Sequence, residues 1–322
     1  MGKKVLFSEG HGEITRTEKS VLSTIIGAMG GLLRPFETLR RILLQFSYSL
    51  NYSGGRKISL RYLRNFDILV VNNPVKEFHP TEISAIEKFV NMGGSLLLIG
   101  RNVYPRVSSV AQRIPLNIMA PLRKVHDVLN NISRKFGVFY ISDWIKPRRK
   151  SSWGTPSQDE RRRYLSYLNL PQISEQELNS LIMAGYLKIS NFEPHPVFRK
   201  IEKFYYLGCS IELTKEAVPL AHTDTKTHPS NAVVMAIANY GDGRVFAIGS
   251  PAIFTDNRIP FVGINNPQQA QLALNIFTWL ARRGPIKLKK PKPVVPSKNT
   301  CPFCSYENSP HEHFCSNCGS SI

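Results

Sequence analysis

The chain has 322 residues, 42% of them apolar, with 21 glycines and 22 prolines. That suffices for one large or two ordinary domains with a true core, and it excludes a chain disordered throughout. Lys and Arg number 42 against 23 Asp and Glu, a net charge of +19, which admits polyanions as partners without naming one.

In chain order, Lys4 to Phe7 is a short apolar run closed by "SEGHGE", as suits a first buried strand and its loop. The run is too short for a signal-peptide core. "VLSTIIGAMGGLL" at 21–33 is the longest apolar stretch and falls short of a bilayer span, so it reads as a core helix, with an interfacial helix as the alternative, and the protein is expected to be soluble and cytoplasmic. "RPFETLRRILLQF" repeats Phe36, Leu39, Ile42, Leu43 and Phe46 at helical spacing, and "FSYSLNYSGG" alternates as a second strand. "FDILVVNNP" is a strand covered on both faces. A helix follows over "HPTEISAIEKFVNMGG", with Thr81 near its start and Ile83, Ile86, Phe89 and Val90 on one face, and then the buried strand "SLLLIG". This β-α-β order predicts a doubly wound, mostly parallel α/β sheet.

The middle is less regular. "VHDVLNNISRKFGVFYIS" reads as helix then strand, and "ISEQELNSLIMAGYLKI" as an amphipathic helix with a distant likeness to the end of a winged-helix module. The second half is β-rich: "KFYYLGCSIEL", "AVPLAHT" and "NAVVMAIANYGDGRVFAIGSPAIF", with a hairpin turn at Gly241-Asp242-Gly243. Cys209 sits there as a small buried hydrophobe. "NNPQQAQLALNIFTWLARRG" closes the body as a helix with Leu272, Ile276, Trp279 and Leu280 facing the sheet. The domains expected are an α/β body at 1–283 with a basic, partly helical insertion at about 146–190, a Pro/Lys-rich linker at 284–300, and a zinc ribbon at 301–322.

Two basic clusters stand out. One holds Arg148, Arg149 and Lys150 and, further on, Arg161 to Arg163; the other holds Lys287, Lys289, Lys290 and Lys292. Such runs contact polyanions such as nucleic acid or anionic headgroups, or merely solvate a loop and stiffen a linker. No phosphate loop and no G-x-G-x-x-G occurs.

The last residues carry the sharpest motif. Cys301 and Cys304 form one C-x-x-C, and Cys315 and Cys318 another. Two such knuckles make a tetrahedral Cys₄ shell for one structural Zn²⁺, and with four protein ligands no position stays open for a substrate water. The alternatives are two disulfides, which need an oxidising compartment, or His311 or His313 in place of one thiolate. The segment has too few apolar residues to fold alone, so metal supplies most of its folding free energy.

The stretches "VLFSEGHGE", "FDILVVNNPVKEFHPTEISAIEKFVNMGGSLLLIGR", "LNNISRKFGVFY" and "YGDGRVFAIGSPAIFTDN" resemble the glutamine-amidotransferase-like domain found in an intraflagellar-transport subunit and in gliding-motility proteins. The resemblance spans most of residues 3–282. It implies a flavodoxin-like fold related to class I amidotransferases, and members that are mostly binding or scaffold domains. A class I enzyme has a nucleophilic cysteine on the elbow after a central strand. Here that turn is "LLLIGRNVYP", with Arg101 and Asn102, and no cysteine precedes Cys209.

Ligands of open α/β sheets bind at the carboxyl ends of the strands. The loops there offer Ser8, Glu9, His11 and Glu13, then Asn72 and Asn73, then Arg101 and Asn102, then Ser250. His11, Glu13, Arg101 and Asn102 are the candidate ligand contacts, although short polar residues at strand ends also serve turns and caps. The reading that follows is a non-catalytic interaction protein with a protein partner. Nucleic-acid binding through the basic segments, and an enzyme or small-molecule site at the strand ends, are the alternatives.

Overall fold

The computed structural model describes residues 2–13, 36–101, 125–148, 157–170, 173–214, 217–256 and 261–282, together with 299–300, 307–308 and 317. The chain divides into two compact units, Met1–Ile286 and Lys287–Ile322.

The body is built on one sheet. Its parallel half runs β2 (Ser49–Tyr52), β1 (Lys4–Phe7), β3 (Ile68–Asn72), β4 (Ser95–Ile99), β14 (Gly243–Ile248), all four pairings parallel. That is the 2-1-3-4-5 order of flavodoxin-like sheets, with β14 in the fifth place. Beyond β14 the sheet becomes antiparallel through β13 (Val233–Tyr240), β10 (Ile211–Leu213) and β5 (Val138–Tyr140), while β11 (Val218–His222) branches from β13 to β8 (Asn191–Phe192). The expected mixed α/β fold with a parallel sheet and a β-rich second half is therefore present. The near-continuous apolar runs explain the parallel half: every residue of β3, β4 and β14 is buried, as strands covered on both faces must be.

Helices cover both faces. On one, α3 (Pro80–Asn91) and α4 (Val125–Ser133) set Ile86, Phe89, Val90, Leu129 and Ile132 against Leu69, Val71, Leu96 and Leu98. On the other, α1 (Glu37–Gln45) and α7 (Pro267–Leu280) pack together and on the sheet. The buried stripe of α1 is Phe36, Leu39 and Leu43; Ile42 is only half-buried and Phe46 is 58% exposed, because the helix ends at Gln45 and the chain turns away. α7 is capped by Asn266, whose side chain accepts from the amides of Gln268 and Gln269, with Pro267 in its first turn. Its last carbonyls are taken up by the sheet: Ser95 Oγ donates to Leu280 O (2.7 Å) and buried Arg244 Nη1 to Trp279 O (2.6 Å). A short helix, α2 (Leu60–Leu63), follows β2 and is too brief to leave a periodic signal.

The insertion holds more helix than its charges suggest. Arg161 to Arg163 lie on α5 (Gln158–Leu168), which is capped by a Ser157–Glu160 box. α6 (Glu175–Ala184) follows, and then β7 (Leu187–Ile189), paired antiparallel with β9 (Phe204–Tyr206). Tyr164, Leu168, Leu178, Leu181, Tyr186 and Tyr205 form a second core. This part of the insertion is two helices and a strand pair, and Glu175 and Glu177 occupy the first turn of α6. Acids there would repel phosphate where a recognition helix must approach it.

His195 gives the body a pH dependence. Its ring meets Trp279 edge-on at 5.5 Å, and burial, then the charge of Arg244, hold it down from 6.5 to about 4. A folded value below the unfolded one means the contribution is complete above about pH 6.5 and is lost as pH falls toward 4. Burial lowers His126 and His222 as well, in the same direction. The melting temperature is expected to fall from pH 7 to pH 5, and to fall less in His195→Asn.

Candidate functional site at the strand ends

Strand order reverses at β1, so the crevice to inspect lies between the carboxyl ends of β1 and β3. The loop after β1 is tied across it. Ser8 N donates to Val70 O (2.9 Å), and His11 O accepts from Val75 N and Lys76 N at 2.9 and 3.0 Å. Gly12 passes at φ +78°, against the side chain of Val75, a conformation that suits glycine.

The two residues singled out in this loop do come together. His11 N donates to Glu13 Oε2 (2.7 Å), and the His11 ring stacks on Phe78 with centroids 3.6 Å apart. With its proton on Nε2, His11 donates to Glu82 Oε2 at 3.2 Å. Glu82 also accepts from the amides of Ile58 (2.9 Å) and His79 (3.0 Å). One carboxylate thus joins the β1 loop, the segment before α2 and the start of α3. Burial pushes the Glu82 carboxyl up, but those two amides and the His11 ring outweigh it and hold it below its usual value. Burial raises Glu13, against the pull of Ser8 and His11. Ser8, His11, Glu13 and Glu82 are each at most 8% exposed, and Ser8 Oγ, His11 Nδ1 and Glu13 Oε1 have no hydrogen-bond partner. His11 Nδ1 lies 3.8 Å from Glu13 Oε1. The cluster is a sealed polar lock rather than an open cleft.

Glu82 and His79 escaped sequence reading. Thr81 stands near the helix start as expected; the N-cap itself is His79, with Pro80 next and Glu82 closing the capping box. Histidine is not among the residues that usually announce a cap.

At the ends of β4 and β14 the described residues also hydrogen-bond to neighbouring strands and loops. Asn73 N donates to Ile99 O and Gly100 N to Ile248 O, at 3.0 and 2.8 Å. Asn73 Nδ2 donates to Asn72 Oδ1 (2.8 Å). Arg101 is half-buried, and its carbonyl accepts from His126 Nε2 at 2.6 Å. Ser250 is buried and its hydroxyl donates to Leu207 O (2.6 Å). Cys209 is fully buried in the main core, with its sulfur 3.6 Å from Gly249 O, and burial pushes its thiol well up. Asp143 accepts from Ser210 N and Oγ at 2.8 and 2.6 Å. A thiol, an imidazole and a carboxylate therefore share this edge, but a buried thiol that stays protonated is a poor nucleophile.

Asn102, Arg149, Lys150, Lys287, Lys289, Lys290, Lys292 and the four cysteines Cys301, Cys304, Cys315 and Cys318 lie outside the described residues. In the tail unit, Asn299 and Thr300 pair antiparallel with Asn308 and Glu307. Arg148 is exposed, and its Nε donates to Thr227 O (3.0 Å). Among the described residues no helix is long and apolar enough to cross a membrane.

A scan against protein-family models finds no match, and a search of curated proteins finds none. Among solved structures, the mmIFT52 N-terminal domain matches with a TM-score of 0.57 and 14% identity, over 88% of this chain and 100% of that one. Cytoplasmic Protein STM1381 from Salmonella typhimurium LT2 gives 0.48 and 12%, over 87% and 100%. A putative ThuA-like protein from Bacteroides uniformis gives 0.43 and 11%, over 87% and 91%. The first likeness speaks to fold and to nothing finer: the α/β body of this chain shares its fold with the mmIFT52 N-terminal domain.

Proposed function

We propose that this chain is a non-catalytic interaction protein, with an amidotransferase-like body and a zinc-folded tail that docks a protein partner. The observation that carries the reading is the state of the strand-end crevice. Among the described residues of the crevice, His11 and Glu82 are buried and bonded to each other, and Glu82 also holds the amides of two neighbouring segments. Catalytic groups must reach substrate, and these are sealed from it.

The tail fits a metal ion by the chemistry of its donors. Four thiols in two C-x-x-C pairs supply a full Cys₄ set, and paired strands at 299–300 and 307–308 flank the first pair in the sequence. Cys301, Cys304, Cys315 and Cys318 would hold one Zn²⁺, which would supply folding free energy and no open coordination site.

The test compares the full chain with Cys301→Ser/Cys304→Ser, reading zinc content and then protein partners retained at raised salt. Loss of both in the variant is expected. A second reading, nucleic-acid binding, is favoured by one observation, the basic groove of the insertion.

A further inference from the structure

We infer that the insertion carries a binding groove for the phosphate backbone of single-stranded nucleic acid, separate from the tail. The groove has a volume of about 840 Å³ and lies between α5, β7 and the ribbon formed by β6 (Lys146–Pro147) and β12 (Thr227–His228). Five cations line it: Arg148 beside β6, Arg162 and Arg163 on α5, Lys188 on β7 and Lys226 before β12.

None of the five forms an ion pair among the described residues. Their neighbour Arg161 does, with Glu175 of α6, and that pair ties the two helices together. Glu160 is the acid in the lining, and its carboxylate is engaged by the amide of Ser157 (3.1 Å) in the α5 cap. Five like charges in one concavity repel one another, and an anion that spans them removes the repulsion.

The groove is held in shape. Arg148 N donates to Lys226 O (2.8 Å) and its Nε to Thr227 O, so two cations are fixed on the ribbon. The Tyr167 hydroxyl donates to Lys188 O (3.2 Å), with the Lys188 ammonium 5.5 Å over the Tyr167 ring. This wall offers an aromatic surface next to charge, the combination single-strand sites use.

The form of the anion follows from the volume and the lining. The volume suits about two or three nucleotides of single strand. A membrane surface would want exposed apolar side chains beside the cations. The exposed large apolar residues among those described, Leu44, Phe46 and Met92, belong to other elements. A nucleic-acid strand presents one phosphate per nucleotide, a series of charges that complements cations drawn from three elements.

The experiment titrates salt against binding of a fluorescent mixed-sequence single-stranded oligonucleotide to the full chain and to Arg162→Gln/Arg163→Gln. Both arginines are exposed, and the variant is first checked for an unchanged melting temperature; if it melts lower, Lys226→Gln replaces it. Two lost phosphate contacts should make the slope of log K against log salt shallower by about 1.4 and weaken binding about tenfold at low salt. An unchanged slope and affinity would overturn the proposal, leaving the tail lysines as the contact. So would no binding at low salt, or displacement of the oligonucleotide by anionic vesicles at equal charge.

Discussion

Replacing Glu82 by alanine is expected to destabilise the body by about 3–5 kcal/mol, the cost of removing one carboxylate that accepts three hydrogen bonds. Three donors lose their acceptor at once: Ile58 N, His79 N and His11 Nε2. Ile58 and His11 are buried while His79 is exposed, and a buried N–H with no partner keeps its full desolvation cost. For a body of this size that is a fall in melting temperature on the order of 10 °C. Glu82→Gln should recover little, since the amide nitrogen would face donors where the carboxylate accepts. The pH course follows from the lowered carboxyl. A depressed folded value contributes stability above the unfolded value of 4.5 that is lost as pH falls through the folded one. The gap between the native chain and Glu82→Ala should therefore be full at pH 7 and shrink below pH 4.5. Thermal unfolding across that range checks it. A variant as stable as the native chain would mean that Glu82 is held for a ligand and does not lock the loops.

Gly249→Ala is expected to be comparably severe, for a steric reason. Gly249 follows β14 and crosses Gly208, so a Cβ at 249 would meet Cys209 O at 2.2 Å and the Tyr206 hydroxyl at 2.3 Å. Neither can yield cheaply. The carbonyl belongs to backbone whose own N–H donates to Gly249 O, and the fully buried Tyr206 hydroxyl donates to Cys209 O. Overpacking of this kind costs about 3 kcal/mol or more. The same crossing keeps Cys209 inside the core. Denaturant unfolding of Gly249→Ala should show a lowered midpoint with an unchanged slope. Native-like stability would show that this edge has room to open, and the sealed character of the strand ends would need revision.

These two residues mark the boundary of what the amino-acid pattern reveals. The strands of the parallel half were legible because a strand buried on both faces is written as one apolar run, as in "ILVV" and "LLLI". α7 was legible from Leu272, Ile276, Trp279 and Leu280 at helical spacing. α5 was not, because its buried side chains are only Tyr164 and Leu168 and three consecutive arginines mask the period. The place of β14 beside β4 is a pairing between distant segments that no local pattern encodes. The crevice shows the same divide. His11 and Glu13 follow a strand and could be found by position, whereas Glu82 lies three residues into a helix with a histidine cap. The groove was half-seen, through Arg148, while Lys188 and Lys226 reach it only by the fold.

The most direct test of the interaction reading sets two purified full-length chains side by side, the native one and Cys301→Ser/Cys304→Ser. Elemental analysis should find one zinc per native chain and none in the variant, with the melting temperature of the body unchanged. Crosslinked protein partners that withstand raised salt should be lost along with the zinc. A zinc-free native chain, or a variant that keeps its partners, would contradict the account of a metal-folded docking tail.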